Sequence, residues 1–151
     1  MVFKINLSEK NGKTFKIESD REDLVGKSLK DKVEGSEISP ELAGYEFEIT
    51  GASDLAGFPS MGSVEGVGLK KVLLNFGFGM KKRPKREGKR LRSDTHPKGL
   101  RLRKTVRGKT ISPAMIQINM KVLKEGHKKL SEIFPEQNKA KEQKAETPAA
   151  A

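Results

Sequence analysis

The chain has 151 residues, enough for one domain with extensions and too few for two sizeable cores. It carries no cysteine, which excludes a disulfide framework, a thiolate nucleophile and a cysteine-based zinc site, and makes a reducing, cytoplasmic setting the expectation. The net charge of +11 is concentrated: between Lys81 and Lys109 fourteen Lys or Arg face only two acids, Glu87 and Asp94, an excess of twelve that leaves the rest of the chain close to neutral and points to a polyanionic partner.

From the N-terminus, Phe3, Ile5 and Leu7 alternate with polar residues, as do Phe15 and Ile17, and Asn11-Gly12 between them suits a tight reversal. This predicts a β-hairpin and argues against a signal peptide or membrane span at this end. Residues 22–44 fit neither helical nor strand period, and their glycines and Pro40 predict short turns of helix or extended pieces. Tyr45, Phe47 and Ile49 alternate with Glu46, Glu48 and Thr50, predicting a strand with an acidic outer face, followed by an irregular loop, Gly51 to Gly62. Further strands are predicted at Leu69–Asn75 and Ala114–Lys124, and a short helix after Gly126 that offers Leu130, Ile133 and Phe134 for docking.

Short strands with glycine corners and no long helical pattern predict a mainly β fold, a small antiparallel barrel-like sheet with a long basic excursion and a short C-terminal helix. The implied division is a β domain over 1–80, a basic extension over 81–109, a returning strand of the domain within 110–126, the helix over 127–135 and a mobile tail over 136–151.

The basic extension carries the functional signal. Like charges at this density repel one another, and a folded domain alone gains nothing by gathering them. Its cations are Lys81, Lys82, Arg83, Lys85, Arg86, Lys89, Arg90, Arg92, Lys98, Arg101, Arg103, Lys104, Arg107 and Lys109. Half are arginine, which adds bidentate phosphate contacts. No aromatic residue lies among them, so base stacking is not the mode. Pro84, Pro97, Gly88 and Gly99 break the segment too often for a recognition helix. An extended basic ribbon suits the irregular phosphate paths of folded RNA, and with few apolar anchors it is expected to become ordered only on that partner.

Catalytic patterns fail on inspection. Gly108-Lys109-Thr110 and Gly26-Lys27-Ser28 echo a phosphate-binding loop, but the required earlier glycine is Arg103 in one and Arg21 in the other. Ser93, Asp94 and His96 are too close in sequence for a triad, and His96 and His127 without cysteine make a poor metal set. The expectation is no enzyme, no cofactor, no metal and no small-molecule substrate.

"ITGASDLAGFP", "LKKVLLNFGFG", the basic run, "KTVRGKTIS" and "INMKVLKEG" together resemble, in order and as far as about Pro135, the archaeal and eukaryotic S-six-e family of small-subunit ribosomal proteins. Thr50, Gly51, Asp54, Gly57, Phe58 and Pro59 match the family loop, while Ala52 stands for its second glycine and Ser60 for its methionine. The resemblance implies a structural ribosomal protein with a barrel-like β domain, basic extensions laid on ribosomal RNA, and neighbouring ribosomal proteins as partners. The ending "KAETPAAA" lacks the serine cluster of eukaryotic members, so an archaeal-type member is expected and tail phosphorylation is not carried over. The rival reading is a free nucleic-acid-binding regulator using the same charges outside the ribosome.

Overall fold

A computed structural model of the chain describes residues 2–20, 22–75, 77, 99 and 101–137. Strands β1 (Phe3–Ser8) and β2 (Thr14–Ser19) form the expected hairpin, with Asn11-Gly12 in the reversal and a Glu9 N–H to Lys13 O bond of 2.9 Å closing it. The aperiodic stretch becomes a short β3 (Lys32–Glu34), one turn of helix α1 (Gly35–Ile38) and two 3-10 turns, at Glu22–Leu24 and Pro40–Leu42. Then follow β4 (Glu46–Asp54), β5 (Leu69–Asn75), β6 (Arg101–Arg107), β7 (Met115–Lys124) and α2 (Leu130–Ile133).

Five strands share one sheet in the order β2-β1-β7-β4-β3, while β5 and β6 form a separate two-stranded sheet. The mainly β class holds, but two expectations need correction. The sheet is open, not a closed barrel: β5 is engaged by β6 as a separate ribbon, and β2 and β3 are edges on opposite sides of the three central strands. Nor is it wholly antiparallel, because β1 runs parallel to β7, with Ile5 opposite Ile118 and Leu7 opposite Met120. The connection that returns the chain to β1 spans most of the sequence, far more than the roughly dozen residues that a parallel crossover needs.

One face of this sheet is apolar because the period-two positions of β1, β2, β4 and β7 coincide across the registers. Phe3, Ile5, Leu7, Phe15, Phe47, Ile49, Ile118 and Met120 are buried there, capped by Leu24, Ile38 and Leu42 from the aperiodic stretch and by Leu130 from α2. Ile133 and Phe134 pack at its margin, Phe134 against Phe15 at 6.1 Å between ring centroids. Beyond them the Gln137 side-chain amide accepts from Lys16 N–H (2.7 Å) and donates to Lys16 O (2.8 Å), adding a rung to the β2 edge that would otherwise face solvent. The tail expected over 136–151 lies outside the described residues from 138 onward.

Strand β4 continues through Asp54, so the first part of the expected loop is strand. The register slips at Thr50: Ile49 faces Met120, and Gly51, not Thr50, faces Asn119. This bulge inverts the alternation, since one extra residue turns every later side chain to the other face. Phe47 and Ile49 point to the core before it; Ala52 and Asp54 are buried after it. Ala52 has no positive φ, so the family's second glycine is replaced at ordinary strand geometry.

Candidate nucleic-acid interface

The ribbon β5–β6 leaves the sheet and leads into the basic extension. Its strands are in full antiparallel register, Leu69 opposite Arg107 through Asn75 opposite Arg101. Opposed residues share a face, so one face presents Leu74, Val72, Val106, Lys104 and Leu102, and the other Leu69, Lys71, Leu73, Arg101, Arg103, Thr105 and Arg107. The first face rests on a second small core, Val64, Leu74 and Val106 with Met61 and Val72 beside them. The second is open: Arg101, Arg103 and Lys71 are exposed, and Leu69 and Leu73 are about half exposed.

Of the expected RNA-binding cations, Lys81, Lys82, Arg83, Lys85, Arg86, Lys89, Arg90, Arg92 and Lys98 lie outside the described residues. The other five are in β6 or just after it, and they divide. Arg101, Arg103 and Lys104 have no carboxylate partner among the described residues. On β7, by contrast, both cations are paired: Lys121 with Glu48 at 2.9 Å and Lys124 with Glu46 at 3.1 Å. Arg107 and Lys109 are likewise engaged within the chain. Lys109 meets Glu65 at 2.8 Å, an exposed pair of little energetic weight.

Arg107 is different. Its Nε donates to Asp54 Oδ2 at 2.8 Å and its Nη1 to Val67 O at 3.2 Å, and the Asp54 side chain is only 4% exposed. The other Asp54 oxygen accepts the Phe58 N–H at 2.7 Å, while Asp54 O accepts Gly57 N–H at 3.0 Å, so the same residue forms the turn Asp54–Phe58. Gly57 takes φ +84°, the left-handed conformation the turn requires. Burial alone would raise the Asp54 pKa, but the Arg107 hydrogen bond, the Phe58 amide and the Arg107 charge outweigh it and hold the carboxyl below its ordinary value. Sequence reasoning placed Asp54 in a loop and Arg107 on phosphate; 53 residues apart, they are partners.

The main chain reinforces this junction. Arg107 N–H donates to Pro59 O (2.9 Å), Met61 N–H to Arg107 O (3.0 Å), Lys109 N–H to Val64 O (2.8 Å) and Gly108 N–H to Gly68 O (3.1 Å). Gly108 approaches so closely that an added Cβ would lie 1.8 Å from Gly66 O. The family-loop residues Thr50, Gly51, Asp54, Gly57, Phe58 and Pro59 thus form the end of β4 and the turn on which the ribbon is seated. No group of His, Asp or Glu among the described residues is arranged to hold a metal ion, and no helix among them is long and apolar enough to cross a membrane.

The family model "Ribosomal protein S6e" matches residues 3–135. The small ribosomal subunit protein eS6 of Methanocaldococcus jannaschii is 39% identical over 83% of this chain and 84% of its own length. That of Nanoarchaeum equitans is 38% identical over 89% of this chain and 91% of its own, and that of Methanosphaera stadtmanae 36% over 95% and 100%. The family is one of structural ribosomal proteins, not enzymes. Matched from Phe3 to Pro135 and alike along nearly its whole length to archaeal members, the chain belongs to the ribosomal protein S6e family.

Proposed function

We propose that the chain is a component of the small ribosomal subunit, in cytoplasmic ribosomes, and that it binds folded ribosomal RNA chiefly through phosphate contacts from residues 81–109, with neighbouring ribosomal proteins as further partners. The archaeal relatives are named as small-subunit proteins, which supports the placement. The observation that carries the RNA reading is the concentration of positive charge in residues 81–109, part of which the ribbon strand β6 displays. Both cations of β7 are matched to carboxylates, whereas Arg101, Arg103 and Lys104 have no carboxylate partner among the described residues and lie on a strand of the segment that holds fourteen cations against two acids. Cations left unpaired on a ribbon, with no aromatic among them, suit a phosphate backbone and not a base-stacking groove.

Binding of the full chain to a small-subunit ribosomal RNA transcript, measured across a salt series, tests this. Log affinity should fall with log salt by about 0.7–0.9 per phosphate neutralised, giving a steep slope for a segment of this charge. A flat dependence would refute the phosphate reading. Sedimentation of the native protein in small-subunit fractions, as opposed to light fractions, separates it from the free-regulator reading.

A further inference from the structure

The two stretches by which the sequence is recognised, "GASDLAGFP" and "KTVRGKTIS", meet in space through one side-chain pair. The ribbon has few other ties to the sheet: its apolar face rests on its own small core, separate from the main one, and its base is joined by the hydrogen bonds of Pro59, Met61, Val64 and Gly68. Among the side-chain hydrogen bonds of the described residues, that of Asp54 is the one that joins a strand of the main sheet to the ribbon. The bulge at Thr50 is what aims it there.

Arg107 also lacks the means to serve phosphate well. Two of its N–H donors are taken by Asp54 and Val67, and its side chain is 17% exposed. A phosphate placed on it would meet the Asp54 carboxylate, a like charge within a few ångströms. Arg101 and Arg103, on the same face and six and four residue pairs nearer the basic segment, have neither handicap.

We propose that Arg107 is a positioning residue and not a phosphate ligand: with Asp54 it clamps the base of the β5–β6 ribbon to the end of β4 and so fixes the direction in which the basic segment is presented to RNA. The proposal rests on the RNA-binding reading above. A fixed ribbon saves the ordering that a swinging one would have to undergo on binding, so the clamp contributes to affinity without touching RNA.

The sign of one substitution separates the alternatives. Asp54→Asn removes a negative charge beside the cations; if Arg107 were a phosphate ligand, this variant would free it and bind the RNA transcript as tightly as wild type or more so. The clamp predicts the opposite: Asp54→Asn and Arg107→Gln each weaken binding about tenfold, the double variant is no weaker than either, and the salt slope stays at the wild-type value. In the same series Arg101→Gln with Arg103→Gln should lower the slope by about 1.4–1.8, the share of two phosphates. A slope lowered by Arg107→Gln, or tighter binding by Asp54→Asn, would overturn the proposal.

Amide exchange supplies a readout independent of RNA. Both clamp variants should speed exchange at Met61, Arg107 and Lys109 while leaving Ile5 and Ile118 in the main core unchanged; unchanged exchange at the junction would also overturn the clamp. Should exchange in the main core quicken as well, Arg107→Lys provides the milder variant, because it keeps the charge and one bond to Asp54 but loses the second donor to Val67 O. It must then weaken binding at constant slope, and full retention of affinity counts against the clamp. If instead the Arg101 and Arg103 substitutions leave affinity and slope untouched, it is the RNA reading of the ribbon that fails, and the exchange rates still decide whether Asp54 and Arg107 hold it.

Discussion

Replacing Gly108 by alanine tests the junction by sterics alone. Gly108 has no positive φ, so alanine is conformationally acceptable there, and the whole effect must come from contact. The added Cβ would lie 1.8 Å from Gly66 O, 2.4 Å from Gly66 C and 3.2 Å from Val67 N, all main-chain atoms that cannot rotate away. Relief to ordinary contact needs about 1.5 Å of movement, more than the Gly108 to Gly68, Lys109 to Val64 and Thr110 to Gly66 hydrogen bonds can follow. Three such bonds at about 0.5–1.5 kcal/mol each, weakened together, agree with the usual 1–3 kcal/mol for overpacking, and a loss of about 3 kcal/mol is expected. The strain cannot stay in the ribbon, since Ile111, three residues on, is bonded to Gly26 and Lys27 and buried in the main core. In urea unfolding followed by circular dichroism, with m of about 1.5 kcal/mol/M, the midpoint should fall by about 2 M. A fall below about 0.5 M would refute the close approach as the reason for this glycine.

Gly57→Val should destabilise by more than about 1 kcal/mol through φ +84° alone, because nothing lies within 4 Å of an added Cβ; an unchanged melting temperature would show that the turn does not need the glycine. Lys30 holds φ +76° as a non-glycine residue, its N–H bonded to Ile49 O, so Lys30→Gly should raise stability by about 0.5–1 kcal/mol, seen as a higher melting temperature. Because the Asp54 pKa is lowered in the folded protein, the unfolded chain binds the extra proton between that lowered value and about 4, so stability contributed by the carboxylate is complete above about pH 4 and is lost as pH falls through the folded value. Acid unfolding of Asp54→Asn should lack that part of the pH dependence, and identical curves for the two proteins would count against the ion pair.

The strands that were legible are those in which alternation coincides with burial. Phe3-Ile5-Leu7, Phe15-Ile17, Phe47-Ile49 and Ile118 to Val122 show period two because one face of each meets a common core, whereas at the start of β7 the core residue is Met115 and not the expected Ile116. Strand β6 has the same alternation, Leu102, Lys104, Val106 against Arg101, Arg103, Thr105, but its charge drew the reading toward an irregular extension, and only Val106 is fully buried. Strand β3 is three residues long and shows no period to read. Closure and strand direction are relations between distant segments: nothing in the composition of β1 says that β7 lies beside it in parallel. The loop residues Asp54, Gly57, Phe58 and Pro59 were visible as a motif, yet the burial of Asp54 depends on a one-residue slip at Thr50 that period counting passes over. Arg107 was counted among like charges, and only its position at the foot of the ribbon sets it apart.

The neighbours of β7 impose an order of events on synthesis. Both β1 and β4 take it as their partner, one parallel and one antiparallel, so the halves of the sheet share no hydrogen-bonded boundary until it arrives. It occupies residues 115–124, near the end of the described chain. During translation the first hairpin and β4 therefore emerge with their apolar sides lacking a common backing, whereas the β5–β6 ribbon can zip up from its own register as soon as residue 107 is clear. Long-range pairing of this kind is slow, typically milliseconds to seconds, beside microseconds for a hairpin. The nascent chain accordingly offers its cationic arm to solution before it has a finished body. An early encounter with a polyanion would shorten the interval in which unbacked strand faces can find the wrong partner.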